Sequence, residues 1–426
     1  MRRQAQARIT TTKPVTRAST PGWDQLTEPG GVRLLAEISA LRKSGATPAA
    51  IAQRVRSESF DHDLIAAALT QSDLRQQAAP KFGALADRML FTPAGLEQAS
   101  RYAVAELHAT RFARAGAASV ADLGCGLGAE SLAFLRAGMR VRAVEIDALT
   151  ADFARHNLEV QASTIEAAKY EVVTGDATEV GAGGADAVFL DPARRTSGHR
   201  DTRRVSSVDY SPSLDFTLGA ARAARSGGVK LGPGFDRELI PEDAEAQWVS
   251  IGGALVEMGL WFGEAARPGI CRVATVIQPE SDASSPEHIA ELMSEADSDD
   301  APVRGLGAYL YEPDGAVIRS RLIGNLARDL DAGMLHENIA YLTSDTLRST
   351  PFAQAFRIVD ELPFREKDLK RALQSRSIGR LEIKKRGVDV DPAALRTRLR
   401  LKGDNSATLI LTRSENRHLA LLAERC

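Results

Sequence analysis

The stretch Ala118–Asp147, ASVADLGCGLGAESLAFLRAGMRVRAVEID, decides the fold. Val120-Ala121-Asp122-Leu123 is a short apolar run that predicts a strand. Gly124, Gly126 and Gly128 follow at alternate positions, and Leu132 and Leu135 then recur on one face of a helix. Val141-Arg142-Ala143-Val144 predicts a second strand, which closes in Glu145-Ile146-Asp147. The unit reads as β-loop-α-β with a glycine-rich turn. Lacking Cβ atoms, such a turn lets bare backbone approach a ligand. The acid after the second strand can accept two hydrogen bonds from a ribose diol.

The glycine spacing separates two kinds of nucleotide ligand. A dinucleotide fingerprint is G-x-G-x-x-G, with a pyrophosphate at the helix N-terminus. Here the spacing is G-x-G-x-G, preceded by Asp122, and a carboxylate at the mouth of the turn suits a cation. S-adenosylmethionine carries a sulfonium, an ammonium, a ribose and an adenine. On Asp122-Leu123-Gly124-Cys125-Gly126-Leu127-Gly128 the chain resembles the class I S-adenosylmethionine-dependent methyltransferases. The resemblance implies an α/β fold with a Rossmann-like seven-stranded sheet and S-adenosylmethionine as cofactor. It places Asp122, Gly124, Cys125, Gly126 and Gly128 at the methionine end and Glu145 at the ribose, with Ile146 also among the cofactor-binding residues. Asp176 and Ala177, in the Gly-Asp-Ala that follows a third strand at Tyr170–Thr174, fall at the adenine, where a carboxylate accepts from the exocyclic amine.

The totals bound the rest. A length of 426 residues suggests two or three domains. Hydrophobic content of 44% and charged content of 26% are those of a globular chain. No apolar run is long enough to span a membrane. Cys125, Cys271 and Cys426 show neither metal spacing nor a disulfide framework, which points to no metal and to a reducing cytoplasm. Charge is unevenly placed: residues 1–20 hold five bases and no acid, 281–301 seven acids and no Lys or Arg, and 365–402 thirteen bases against five acids.

In order, residues 1–30 read as a basic flexible tail and 31–116 as a helical domain. Thr47-Pro48 opens one helix, and others run from Asp61 to Leu74 and from Leu96 to Ala113. The segment Met89–Ser100 stands where this family often covers the cofactor. Residues 117–280 are the methyltransferase domain, closing with an expected hairpin of Leu255–Phe262 and Cys271–Ile277. Residues 281–301 read as an acidic linker. Residues 302–426 form an α+β region. Within it, about 355–426 resembles the THUMP-like domain found at the carboxyl end of certain bacterial methyltransferases, chiefly through Leu381–Gly387 and Ala407–Arg413. The resemblance implies RNA binding.

The buried run Ala185–Leu190 ends in Asp191-Pro192-Ala193-Arg194-Arg195. Asp191-Pro192 resembles the fourth motif of nucleic-acid methyltransferases. In their amino-methylating members such a side chain accepts hydrogen bonds from the target amine, and positioning supplies most of the catalysis. The motif departs from the aromatic form, since Ala193 replaces the second Pro and Arg194 replaces the ring. The Arg form resembles RNA pyrimidine C5-methyltransferases, which need a Cys near the end of the next strand. Gly227–Gly234 contains none, so N-methylation is the expectation, with Asp191 and Pro192 as catalytic residues. Arg194 and Arg195, in an Arg-rich loop running to Asp209, and Lys384, Lys385 and Arg386 in the tail are the candidate RNA contacts. The expected activity is methylation of a base in tRNA or rRNA. The alternatives are an RNA-interaction protein that binds the cofactor without catalysis, and a methyltransferase acting on a protein or small molecule.

Overall fold

The structure, a computed structural model, describes residues 20–56, 60–166, 168–194, 210–278, 288–415 and 417–426. The chain divides into two compact units, residues 1–186 and 187–426.

The first unit opens with a 3-10 turn at Asp24–Thr27 and five helices: α1 (Pro29–Lys43), α2 (Pro48–Arg56), α3 (His62–Phe82), α4 (Pro93–Gln98) and α5 (Tyr102–Arg114). Then follow β1 (Ser119–Leu123), α6 (Ala129–Arg136), β2 (Arg140–Glu145), α7 (Ala148–Ala162), β3 (Tyr170–Thr174) and α8 (Ala177–Val180). Local chemistry starts the helices. Thr47 Oγ1 accepts from Ala50 N at 3.3 Å ahead of α2. Asp61 caps α3, accepting from Asp63 N at 2.9 Å and Leu64 N at 3.3 Å. Within the stretch 1–30 read as a flexible tail, Trp23 and Leu26 are buried, and Trp23 stacks on Phe153 of α7, centroids 5.9 Å apart. The helix expected from Leu96 to Ala113 is two, α4 and α5. Lys81 Nζ draws the chain out of helix between them by bonding the carbonyls of Leu96, Glu97 and Ala99 at 2.6, 3.0 and 3.0 Å. β1 pairs in parallel with β2, Val120 opposite Val141, and β2 with β3, Val141 opposite Tyr170. Every residue of β1 is buried, as a strand covered on both faces requires.

The second unit begins with β4 (Ala187–Leu190), β5 (Ala193–Arg194), β6 (Tyr210–Ser211), α9 (Leu214–Ala223), β7 (Ser226–Leu231), β8 (Glu245–Ile251), β9 (Ala254–Gly263), β10 (Arg272–Gln278) and β11 (His288–Ser294). Six of these strands run side by side in the order β11-β10-β8-β9-β7-β4. The expected hairpin of β9 with β10 does not form. β9 pairs antiparallel with β8, and β10 lies beyond β8, parallel to it. The reason is the turn: Gly252 and Gly253, at φ 56° and 80°, make the two-residue connection that matches strand twist. β11 pairs antiparallel with β10, so a strand occupies part of the stretch read as an acidic linker.

The remainder comprises β12 (Tyr309–Pro313), α10 (Gly315–Arg319), α11 (Ile323–Leu330), β13 (Gly333–His336), β14 (Ile339–Ser344), β15 (Ala353–Leu362), α12 (Glu366–Gln374), β16 (Ile378–Lys385), α13 (Pro392–Leu399), β17 (Asn405–Ser414) and β18 (Arg417–Arg425). Its seven strands form one sheet, β13-β14-β12-β15-β18-β17-β16. On one face Leu369 and Leu373 of α12 and Leu395 and Leu399 of α13 meet Leu381, Leu409 and Leu411. On the other, Phe356, Ile410, Leu419 and Leu421 share a core with Leu310, Leu335, Ile339 and Tyr341 from β12–β14. Each fully buried Leu or Ile is worth about 2 kcal/mol of transfer free energy, so both cores hold the sheet.

Candidate active site

The glycine turn between β1 and α6 has the geometry that its residues dictate. Gly124, Gly126 and Gly128 sit at φ 93°, 56° and 84°, conformations that only glycine adopts freely. Gly124 N and Cys125 N both donate to Val144 O, at 2.8 and 3.0 Å, which ties the turn to the end of β2. Glu145 completes the tie. Its Oε2 accepts from Gly126 N at 3.0 Å and its Oε1 from Asp147 N at 2.9 Å. Burial pushes its carboxyl above the usual carboxylate range, while these backbone donors pull it back.

The turn fits the cofactor that its sequence implies. Each Glu145 oxygen spends one lone pair on backbone and keeps another for a ribose hydroxyl. Ile146 beside it is 68% exposed, an apolar side chain open to pack on an adenine ring. Asp176 caps α8 through Oδ1, which accepts from Thr178 N at 2.8 Å and Thr178 Oγ1 at 2.7 Å, and Oδ2 is left for an amine. Ala177 beside it is buried. Asp122 is buried and accepts from Ser131 Oγ of α6 at 2.5 Å, so its charge lies behind the turn. The buried Cys125 thiol is pushed well above its ordinary value by burial and by the Asp122 and Glu145 carboxylates, so it is a packing group with little thiolate.

Sequence reasoning missed the brace of this turn. Asn157 of α7, fully buried, donates to Leu127 O and to Leu90 O, both at 3.0 Å, and accepts from Leu90 N at 2.7 Å. One side chain thus holds the glycine turn and the Met89–Ser100 segment together. Gln71 and Arg75 of α3 fix that segment on either side. Phe91 N donates to Gln71 Oε1 at 2.9 Å, and Arg75 Nε donates to Met89 O at 2.8 Å. Gly95 in α4 packs so tightly on Leu127 that an added Cβ would lie 2.8 Å from its side chain. A Gln and an Arg one turn apart on an otherwise apolar helix face were the available signal.

In the second unit, Asp191 follows β4 and Pro192 beside it is buried. Asp191 Oδ2 accepts from Lys230 Nζ of β7 at 2.5 Å, because Leu190 and Val229 are register partners and the next residues fall side by side. The sequence reading passed over Lys230 while seeking a Cys in the same strand. Tyr210, opposite Arg194 in the β5–β6 pair, is buried against Phe235, centroids 6.4 Å apart. Arg195 lies outside the described residues, as does most of the Arg-rich loop.

The tail places its candidate bases unevenly. Lys384 Nζ pairs with Glu312 at 2.6 Å, and Arg386 reaches Glu312 at 3.8 Å while its guanidinium lies 5.3 Å from the Tyr341 ring centroid. Both are half-buried, and β12 takes up their charge. Lys385 between them is exposed. Lys367 on α12 and Arg400 and Lys402 after α13 are exposed too and make no ion pair among the described residues.

Comparison with known proteins gives this geometry its family. A methyltransferase small domain profile matches residues 83–206, a THUMP domain-like profile matches 353–425, and a domain of unknown function matches 20–78. Mycobacterium tuberculosis, in strains CDC 1551 / Oshkosh and ATCC 25618 / H37Rv, carries an uncharacterized S-adenosylmethionine-dependent methyltransferase 33% identical to this chain over 351 residues. The match covers 80% of this chain and 90% of the relative. A crystal structure from Porphyromonas gingivalis W83, assigned as a methyltransferase, aligns with a TM-score of 0.73 at 22% identity over 92% of this chain and 98% of that one, a likeness of fold. With a cofactor turn built as described and a relative aligned along most of its length, the chain belongs to the S-adenosylmethionine-dependent methyltransferases.

Proposed function

We propose that this enzyme methylates a nitrogen of a base in structured RNA, with Asp191 and Pro192 orienting the target amine. The observation that carries the RNA reading is the THUMP domain-like match over 353–425, on the same chain as the methyltransferase domain. Exposed bases on its helix layer, Lys367, Arg400 and Lys402, support it, since sequence-independent RNA affinity comes from phosphate contacts. The domain organisation that accompanies this reading is a helical region, a methyltransferase domain and a THUMP-like tail.

S-adenosylmethionine supplies a methyl group made electrophilic by its sulfonium. The residues of this chain supply placement. Glu145 fixes the ribose, and Asp176 accepts from the adenine amine. Asp191 accepts a hydrogen bond from the target N–H and so aims the nitrogen lone pair. Lys230, paired with Asp191 at 2.5 Å, holds that carboxylate in one position and leaves it an acceptor. Cys125 is buried and Cys271 lies just ahead of β10, so the C5 route with its thiolate attack finds no support.

The deciding experiment follows tritiated methyl from the cofactor into an extract of cells lacking this gene. Label lost on ribonuclease treatment supports the reading, and the size of the labelled band separates tRNA from rRNA. Label that survives ribonuclease replaces the reading with a protein or small-molecule acceptor. A protein that binds cofactor and labels nothing is a binding protein without catalysis.

A further inference from the structure

Arg75 of α3 is 91% buried by its 9% exposure, and Nε is bonded to Met89 O. No carboxylate lies within ion-pair distance of it among the described residues. Its guanidinium is pushed down to about 10, first by burial, with Asp87 acting only at a distance in the opposite sense. A buried guanidinium lacking an anion is costly, and such cations are ordinarily paired. Its surroundings form a cavity of about 190 Å³, lined also by Arg42 and Lys43 of α1 and by Ser72 and Gln76. Arg42 lies mostly buried and its Nε is a buried donor with no partner. The two acids nearby are already engaged: Asp73 with Arg42, and Asp87, which also lines the cavity, with Lys43 at 3.2 Å. Two paired cations and one unpaired cation therefore surround a space several times the ~30 Å³ share of a water molecule.

We propose that this cavity in the helical region is a binding site for a phosphate group, held by Arg75 with Arg42 and Lys43. Guanidinium forks match tetrahedral oxyanions bidentately, and the ammonium at the rim adds a point charge. The group can come from free phosphate or from the backbone of a nucleic acid. The inference stands on the first unit alone and does not depend on RNA being the methyl acceptor.

The test uses the full chain in phosphate-free buffer. Inorganic phosphate is titrated by calorimetry, with sodium chloride at equal ionic strength as the control. We expect saturable binding that chloride does not reproduce, weakened about tenfold or more in Lys43→Gln at the rim and in Arg42→Gln, each a single charge loss. Arg75→Lys, which keeps the charge and loses the fork, weakens it as well, and circular dichroism verifies that each variant is folded. Competition separates the sources. Phosphate that displaces a bound RNA oligonucleotide, with Lys43→Gln weakening that RNA, assigns the site to backbone phosphate. Saturable phosphate binding that leaves RNA untouched assigns it to the free anion. Heats no larger than those of chloride, or equal affinity in folded Lys43→Gln and Arg42→Gln, overturn the proposal.

Discussion

Glu145 braces the turn through Gly126 N and Asp147 N, and in the proposed cofactor role its ionised carboxylate keeps lone pairs for a ribose. Its pKa is raised, so protonation begins at a higher pH than for an ordinary Glu. The sign follows: a raised acid favours the protonated folded state, so its contribution to stability is greatest below the unfolded pKa and is lost as pH rises through the folded one. Cofactor affinity moves the opposite way, falling as pH drops through that raised value. Equilibrium dialysis of S-adenosylmethionine across pH should show this fall, and Glu145→Gln should remove it while weakening binding at neutral pH. Thiol chemistry gives a second check on the same turn. At pH 8 the exposed Cys426 should react with iodoacetamide in the folded protein, and Cys125 should react only after denaturation, as peptide mass mapping would reveal. In its proposed role of orienting the acceptor, Asp191→Ala should leave cofactor affinity within about twofold and cut methyl transfer by about a hundredfold or more. Wild-type turnover in that variant removes Asp191 from the mechanism.

Among the elements, the Met89–Ser100 segment and α7 carry the next prediction. Asn157→Ala leaves Leu90 N, Leu90 O and Leu127 O without their partner in a buried setting. The loss should be about 2–4 kcal/mol in urea unfolding, together with weaker cofactor binding. Unchanged stability would mean that water replaces the amide. How much of this was legible varies with the kind of signal. The glycine turn, Glu145 and the second strand follow from local chemistry, and they stand where the sequence puts them. The same holds for α13, where Asp391-Pro392 supplies both cap and first turn. What was not legible depended on distant partners. The break between α4 and α5 is made by Lys81, fifteen and more residues away. The pairing of β9 with β8 was in principle readable from Gly252-Gly253, but the flanking strand Glu245–Ile251 mixes Glu, Gln and Ser with Trp and Val. Those polar residues are buried in a network, Gln247 accepting from Trp261 Nε1 at 2.8 Å and Glu245 pairing with Arg267, which hides the apolar pattern. Lys230 needed the β4–β7 register before it could be joined to Asp191.

At the scale of the molecule, charge and connectivity argue together. If the helix layer of the tail meets phosphates, joint substitution of Lys367, Arg400 and Lys402 by Gln should weaken RNA binding. It should also reduce the slope of log affinity against log salt by about one for each contact removed. Lys384→Gln should instead lower stability, since it leaves the half-buried Glu312 with only the longer contact to Arg386 at 3.8 Å. Point substitutions are the right tool here because the tail cannot be cut away cleanly. Residues 353–425 share a sheet and a core with β12–β14, so removing them would bare Leu310, Leu335, Ile339 and Tyr341. The order of strands in that sheet bears on how the chain is made. Its last strand, Arg417–Arg425, lies between β15 and β17 and joins the two halves of the sheet. During synthesis β12 to β15 are made well before the strand that closes them, and the β15 edge stays unpaired until β18 follows. A chain cut short of Arg417 would therefore act as a loss of the whole region, although β12 to β17 are all present in it.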